Sequence, residues 1–327
     1  MNDILIIGAG PAGISMAVEG ITAGIETSKI LILEKAHEHS FTIKKFYPDG
    51  KLVTANFKGV EPVCTGVLCL TDSSKHETIS FLDAVIEQYK LQVHYLETVH
   101  SIQKHPSEQL FTVVTDKSTY TAKIVVIAIG ILGKPNKPNY TLPATVKNKI
   151  FFDVTSAPIE NSSVLVVGGG DSAAEYCQFL TEHNNTVSLS YRQNTFSRMN
   201  DLNKKSLEEL IHQKKITVFM NSTINRIEAP ENLIEVVFDQ PEIGSKIFDA
   251  IVYALGGTTP NNFLKTIGIE FNSNQPQIDE GNETNIPGLF LVGDLSAGLK
   301  GGSIISAFNS ANTAMRKICT DYLECKL

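Results

Sequence analysis

Two short glycine-rich segments, Gly8-Ala9-Gly10-Pro11-Ala12-Gly13 and Gly168-Gly169-Gly170-Asp171-Ser172-Ala173, each stand between an apolar run and a small-residue stretch with helical spacing. A lone pattern of this kind is weak, but the strand before it and the helix after it are the context it requires. Glycines let the backbone turn tightly and approach a pyrophosphate, and the following helix N-terminus supplies oriented N–H donors and a positive dipole end. One dinucleotide needs only one such loop, so the pair predicts two dinucleotides held by one chain. The expected fold class is α/β, with two Rossmann-like dinucleotide-binding domains, one inserted in the other.

After the first loop, 14–24 has helical spacing and Ile30-Leu31-Ile32-Leu33 reads as a buried strand that ends in Glu34, with Lys35 next. An acid about twenty residues past the loop is placed to accept hydrogen bonds from an adenosine ribose. In the second unit 164–167 is the strand before the loop, and Val187-Ser188-Leu189-Ser190 leads to Tyr191-Arg192 instead of an acid. A cation there suits a 2′-phosphate. Arg198, six residues on, is placed to close the other side of it, which favours NADPH over NADH.

Near the C-terminus, Thr284-Asn285-Ile286-Pro287-Gly288-Leu289-Phe290-Leu291-Val292-Gly293-Asp294 reads as a turn, a buried strand and an aspartate at its end. On these residues the chain resembles the two-dinucleotide flavoprotein reductases, and among them the thioredoxin reductase-like group, in which such a Gly-Asp pair meets the ribityl chain of FAD. The resemblance covers essentially the whole chain and includes Ala128-Ile129-Gly130 and Ala254-Leu255-Gly256, similar to the Ala-Thr-Gly strand ends of that group. It implies FAD at the first loop, on Gly8, Gly10, Pro11, Ala12, Gly13, Glu34, Lys35, Ala128, Gly130, Gly293 and Asp294. Ser303 and Ile304 would open a last helix whose amides face the flavin pyrimidine edge. NADPH is implied at the second loop, on Gly168, Gly169, Gly170, Asp171, Ser172 and Ala173, with Arg192, Arg198 and Gly256.

The layout expected is discontinuous, with 1–131 and 248–327 as the FAD domain and 132–247 as the NADPH domain. The crossings are Gly133-Lys134-Pro135-Asn136-Lys137-Pro138 and the approach to Phe248-Asp249-Ala250-Ile251-Val252-Tyr253. Alternating stretches at 111–114 and 233–238 read as antiparallel strands, and 74–89 has helical spacing. At 327 residues the chain is long enough for two cores. A formal net charge of −7 gives no electrostatic reason to bind nucleic acid or an anionic membrane. No run of eighteen apolar residues occurs and the first strand begins by Ile4, so a cytoplasmic protein is expected.

Thioredoxin reductases carry a redox Cys-x-x-Cys just before the second loop, where this chain has Phe151-Phe152-Asp153-Val154. Thioredoxin reduction by the usual exchange is therefore not implied. Cys64 and Cys69 have the Cys-x4-Cys spacing of glutathione reductase-type enzymes, but follow Glu34 by thirty residues, after Phe57-Lys58-Gly59-Val60-Glu61-Pro62, and Pro62 argues against a helix there. They are read as buried or loop cysteines, with a redox pair as the alternative. Cys319 and Cys325 form a weaker candidate pair, Cys177 reads as core, and five sparse cysteines suit a reducing compartment. The bacillithiol disulfide reductases also lack Cys-x-x-Cys, but are marked by a cysteine in the first glycine loop, where this chain has Ala12.

The segment from Ser40 to Gly50 resembles the part of ferredoxin and flavodoxin NADP reductases that brings a Tyr-Pro pair beside the flavin, so Tyr47 is expected to stack on the ring. Tyr47-Pro48-Asp49-Gly50 is also good turn chemistry, which leaves a surface turn as the alternative. Lys44, Lys45 and Lys51 flank Tyr47 and are read as a basic docking patch, with ordinary solvated lysines as the alternative. The eight histidines have no metal-site spacing, and His37 and His39 read as solvated loop residues. The resemblance thus points to the flavodoxin:quinone reductase and ferredoxin/flavodoxin NADP reductase branch: an NADPH- and FAD-dependent oxidoreductase, expected as a homodimer, whose acceptor is an acidic flavodoxin or ferredoxin or a quinone. The alternatives are a disulfide reductase using Cys64 and Cys69, and a flavoprotein that senses NADPH and binds a partner.

Overall fold

The computed structural model describes residues 1–49, 51–53, 63–105, 109–131, 135–257, 260–297 and 303–325. The chain divides into two units: Met1–Lys44, Leu52–Ile131 and Thr259–Leu327 make the first, Lys45–Lys51 and Leu132–Thr258 the second. Gly133 and Lys134 of the first crossing, and the stretches 54–62 and 298–302, lie outside the described residues.

The first unit begins with β1 (Asn2–Ile7), α1 (Pro11–Thr22) and β2 (Ile30–Leu33), and the two strands pair in parallel with Ile4 opposite Ile30. Isoleucine and leucine dominate both strands because each is covered on both faces. Ile4 and Ile6 enter one core with Met16 and Ala17 of α1, while Leu5 and Ile7 enter the opposite core with Leu31 and Leu33. Next come α2 (Lys75–Gln88), β3 (Val93–His94), β4 (Val99–His105), β5 (Leu110–Thr115) and β6 (Thr119–Ile127). A capping box starts α2: the Glu77 carboxylate accepts the Ser74 N–H at 2.7 Å, and Ser74 Oγ accepts the Glu77 N–H at 3.2 Å. The strand order is β3-β2-β1-β6-β5-β4. On the side of β6 away from β1, Ala122 faces Phe111 of antiparallel β5. Further along that side, 125–127 pair in parallel with a strand from near the C-terminus.

The second unit repeats the plan with β7 (Ile150–Phe151), β8 (Ser163–Val167), α3 (Asp171–Glu182), β9 (Thr186–Tyr191), α4 (Asp201–His212) and β10 (Ile216–Met220). Three antiparallel strands follow, β11 (Ile224–Glu228), β12 (Ile234–Phe238) and β13 (Ser245–Phe248), and then β14 (Ala250–Tyr253). The parallel sheet runs β10-β9-β8-β14-β7. On one face Val164 and Val166 pack with Cys177 and Leu180 of α3 and Leu207 of α4; on the other Leu165, Ile251 and Tyr253 pack with Ile234 and Val236. The chain returns to the first unit with β15 (Leu289–Leu291), the partner of β6, and α5 (Ile304–Asp321).

The second boundary differs from the sequence reading, which returned the chain to the first domain at Phe248. Ala250–Tyr253 pairs in parallel with β8, Val164 opposite Ala250, and the second unit continues to Thr258. A run of buried apolar residues fits the interior of either parallel sheet equally well, so its pattern does not reveal which sheet it joins.

Candidate cofactor-binding site

In the first unit, β1 delivers its backbone straight into the Gly8 loop. The Gly8 N–H donates to Leu33 O and the Ala128 N–H to Ile7 O, both at 2.8 Å, so the ends of β2 and β6 flank the loop. Gly8 has φ +106°, and a Cβ there would lie 2.5 Å from Ala128 O, so only glycine lets the strand ends close up. Gly10 caps α1 with no side-chain hydrogen bond, and the space where its Cβ would stand is open. The first N–H groups of α1 thus have no side-chain cap, and Pro11 at the first helical position gives up none that is needed. Ala12 and Gly13 are buried in the first turn. This is a cradle of the shape and polarity that a pyrophosphate requires.

Glu34 is buried at the end of β2, and its two oxygens are already engaged. Oε2 accepts the Ala9 N–H at 2.7 Å, and Oε1 accepts the Ala36 N–H at 2.8 Å. The carboxylate therefore holds the glycine loop from the end of β2. Each oxygen keeps a lone pair for a hydroxyl donor. Lys35 is exposed, and Gly130 has φ +64° with open space beside it.

Gly293 reaches the same loop from the C-terminal side. A Cβ on it would lie 2.9 Å from Ala12 Cβ, and its N–H donates to Ser310 Oγ of α5 at 2.8 Å. Asp294, the next residue, is half-buried, and among the described residues no group hydrogen-bonds its carboxylate. Burial pushes its pKa above the usual carboxylate range. A desolvated carboxylate with no hydrogen-bond partner among the described residues, beside a phosphate cradle, fits a ligand that brings hydroxyl donors. Ser303 caps α5, its Oγ accepting the Ser306 N–H at 3.1 Å, and Ile304 is the first helical residue.

The second unit repeats these bonds. The Gly168 N–H donates to Ser190 O at 3.0 Å and the Ala254 N–H to Val167 O at 2.8 Å. A Cβ on Gly169 would overlap the ring of Tyr191, which is buried and stacked on Phe196 at 5.3 Å between centroids. Gly170 caps α3 with no side-chain bond and open space. Asp171 ties the loop to the start of α4, its Oδ1 accepting the Asn200 N–H at 2.8 Å and Asn203 Nδ2 at 3.1 Å. Ser172 is exposed and Ala173 buried. Gly256 has φ +74° and accepts the Asn136 N–H at 2.9 Å. Arg192 and Arg198 are exposed just past β9, and among the described residues neither has a hydrogen-bond or ion-pair partner.

Three sequence expectations need correction. The lysine patch is largely neutralised: Lys44 Nζ pairs with Glu38 at 3.1 Å and Lys51 Nζ with Glu175 of α3 at 2.9 Å. Lys51 also lies 3.8 Å from the centre of the Tyr47 ring, and Lys45 lies over Phe46 at 5.3 Å. Tyr47 thus belongs to the second unit, with Lys51 on its ring. His39 is not solvated; it is buried, with Nε2 at 2.6 Å from Asp83 Oδ1 and Nδ1 at 3.2 Å from Ser40 Oγ. Finally, Cys64 pairs with Cys69 and Cys319 with Cys325 in disulfides, with Cα separations of 5.6 and 5.1 Å. Cys177 is buried as expected, and burial raises its thiol pKa well above the ordinary value. Among the described residues no group of acidic, histidine or cysteine side chains is arranged to hold a metal, and no helix is long and apolar enough to cross a membrane.

Two glycine cradles, each at the C-terminal end of a parallel strand and the start of a helix, define an oxidoreductase of the two-dinucleotide class. The chain belongs to the pyridine nucleotide-disulphide oxidoreductase family, whose model matches residues 5–293. It works with FAD and NADP(H). It is 30% identical over 308 residues to the ferredoxin–NADP reductase of Lactococcus lactis subsp. lactis, covering 90% of this chain and 86% of that one. With the ferredoxin–NADP reductase of Ignicoccus hospitalis it shares 25% identity over 332 residues, 98% of this chain and 99% of the other. The bacillithiol disulfide reductase of Staphylococcus aureus shares the fold at a TM-score of 0.81 and 22% identity, covering 98% of this chain and 99% of that one.

Proposed function

We propose that this chain carries electrons from NADPH through FAD to a small acidic carrier, ferredoxin or flavodoxin, or to a quinone, and does so without a redox-active Cys-x-x-Cys. The observation that carries the reading is the contrast between the two cradles. The first has a buried carboxylate, Glu34, after its second strand, and beyond the matching strand the second has Arg192 and Arg198, which have no partner among the described residues. One suits an unmodified adenosine ribose and the other a 2′-phosphate. The ferredoxin–NADP reductases among the relatives support the class of acceptor.

In this reading the Gly8–Gly13 amides and the N-terminus of α1 hold the FAD pyrophosphate. Glu34 accepts from the ribose, and Asp294 accepts from a ribityl hydroxyl. Ser303 and Ile304 start α5 so that its first amides and dipole favour negative charge at the pyrimidine edge. The Gly168–Ala173 loop and α3 hold the NADPH pyrophosphate, and Arg192 with Arg198 clamps its 2′-phosphate. Bound FAD supplies the hydride acceptance and the onward electron transfer, so the protein's task is positioning, exclusion of water and electrostatics, with no obligatory acid or base. We further infer a cytoplasmic homodimer, with 1–44, 52–131 and 259–327 as the FAD domain and 45–51 with 132–258 as the NADPH domain.

The test is anaerobic stopped-flow reduction by NADPH, followed by mixing with ferredoxin, flavodoxin, quinone and thioredoxin in turn. Reoxidation by one of the first three faster than on the order of one per second supports the reading. Reoxidation by thioredoxin alone, or by none of the four, contradicts it.

A further inference from the structure

The second unit carries a cavity of about 390 Å³ between α4 and the edge strand β10. Phe196, Ile211, Val218 and Met220 give it an apolar surface, and Lys204 and Glu208 of α4 stand in the same lining. These two residues are one helical turn apart, about 6 Å along the axis, on one side of α4. Both are exposed, and among the described residues neither the ammonium nor the carboxylate has an ion-pair or hydrogen-bond partner. Among the described residues, no part of the second glycine loop and neither Arg192 nor Arg198 lines the cavity, so it lies outside the dinucleotide cradle. Both of its walls are nevertheless fastened to that cradle. The Phe196 ring stacks on Tyr191 at an interplanar angle of 10°, and Tyr191 lies directly against Gly169. On the other wall, the start of α4 is held by the loop: the Asp171 carboxylate accepts from Asn200 at 2.8 Å and from Asn203 at 3.1 Å.

We propose that this cavity is an effector site for a small aromatic ring with a carboxylate at one end and a hydroxyl or amine at the other, and that its occupancy strengthens NADP(H) binding. Pockets of this size hold small molecules by an apolar lining with a few placed polar groups. The ring packs on Phe196, Ile211, Val218 and Met220, its carboxylate accepts from Lys204, and its hydroxyl or amine donates to Glu208 one turn away. A purely apolar guest gains nothing from the lysine and the glutamate, and a dianion brings its second charge against Glu208. The two charged groups thus select a ring of mixed polarity over either. Coupling to the cofactor follows from the walls. The guest binds the arrangement in which Phe196 is stacked on Tyr191 and α4 is held by Asp171, the same arrangement that shapes the loop around Gly169 for a pyrophosphate. A ligand that prefers one arrangement shifts the population towards it, so each ligand tightens the other. Nothing in this coupling depends on which acceptor takes the electrons.

The full-length holoprotein is titrated calorimetrically with 4-hydroxybenzoate as the probe, with and without saturating NADP⁺, and then with NADP⁺ in the presence and absence of the probe. The expected result is one saturable probe site at about millimolar concentration or below. NADP⁺ affinity should rise about fivefold with the probe bound, and probe affinity by the same factor with NADP⁺ bound. Lys204→Gln should weaken the probe roughly tenfold and leave NADP⁺ affinity without probe unchanged. Phenol, which lacks the carboxylate, should bind the parent and Lys204→Gln equally. Ile211→Asp, at a position 38% exposed, should abolish probe binding by placing a charge in the apolar lining. Four results would each overturn the proposal: no saturable probe binding, probe affinity unmoved by both variants, displacement of the probe by NADP⁺, which would place it in the nucleotide cradle, or NADP⁺ affinity indifferent to a bound probe.

Discussion

Replacing Asp294 with asparagine should move the empty protein and the cofactor complex in opposite directions. The carboxylate is half-buried, burial raises its pKa, and no described group hydrogen-bonds it. A buried polar group without a partner costs about 1–3 kcal/mol, and partial exposure reduces this, so the neutral amide should stabilise the flavin-free protein by about 0.5–1 kcal/mol. With FAD bound, the same change replaces a charge-assisted hydrogen bond worth about 1.5–3 kcal/mol, which weakens affinity roughly 10- to 150-fold. The pH dependence has a definite sign. A carboxyl whose folded pKa lies above its unfolded value binds more protons when folded, so its contribution is most favourable below the unfolded value and is lost as pH rises through the folded pKa. That slope should vanish in Asp294→Asn. Urea unfolding of the flavin-free proteins across pH, with FAD titration by fluorescence quenching, measures both effects. A variant less stable than the parent when flavin-free, or one binding FAD equally well, refutes the account of Asp294.

Glu34→Gln should have the opposite sign when flavin-free: one of the Ala9 and Ala36 N–H groups would face an amide donor, costing about 1–3 kcal/mol of unfolding free energy in urea titration. Gly169→Ala drives a methyl group into the buried Tyr191 ring, so a loss of about 1–3 kcal/mol in the same assay is expected, with weaker NADPH binding by calorimetry. Arg192→Ala should cost about 1.5–3 kcal/mol of NADPH affinity and leave NADH nearly unchanged; equal loss for both nucleotides would show that the arginine supports structure instead.

The parts of this protein legible from sequence are those encoded locally. Each glycine loop lies within a few residues of its strand and helix, so the first loop with Glu34 and the second with Tyr191 and Arg192 could be read directly. What was missed depends on partners distant in the chain. His39 looks like a loop residue until Asp83, 44 positions away, meets it, and Lys51 looks solvated until Glu175, 124 positions away, pairs with it. The pairing of Cys64 with Cys69 is hidden for the same reason, since Asn309 fastens their loop across 244 positions. For β14 the failure was of another kind, because its apolar run suits either sheet. The spacing singles out Glu34, but its backbone partners Ala9 and Ala36 carry no side-chain signal at all.

The central claim is that electrons leave the flavin without passing through a protein disulfide. Its most direct test is a double variant, Cys64→Ser with Cys69→Ser, reduced anaerobically by NADPH in a stopped-flow instrument and mixed with oxidised ferredoxin or flavodoxin. The account predicts flavin reduction and reoxidation at rates indistinguishable from the parent. Normal reduction by NADPH followed by loss of carrier reduction in the variant would contradict it and place the cysteine pair on the electron path.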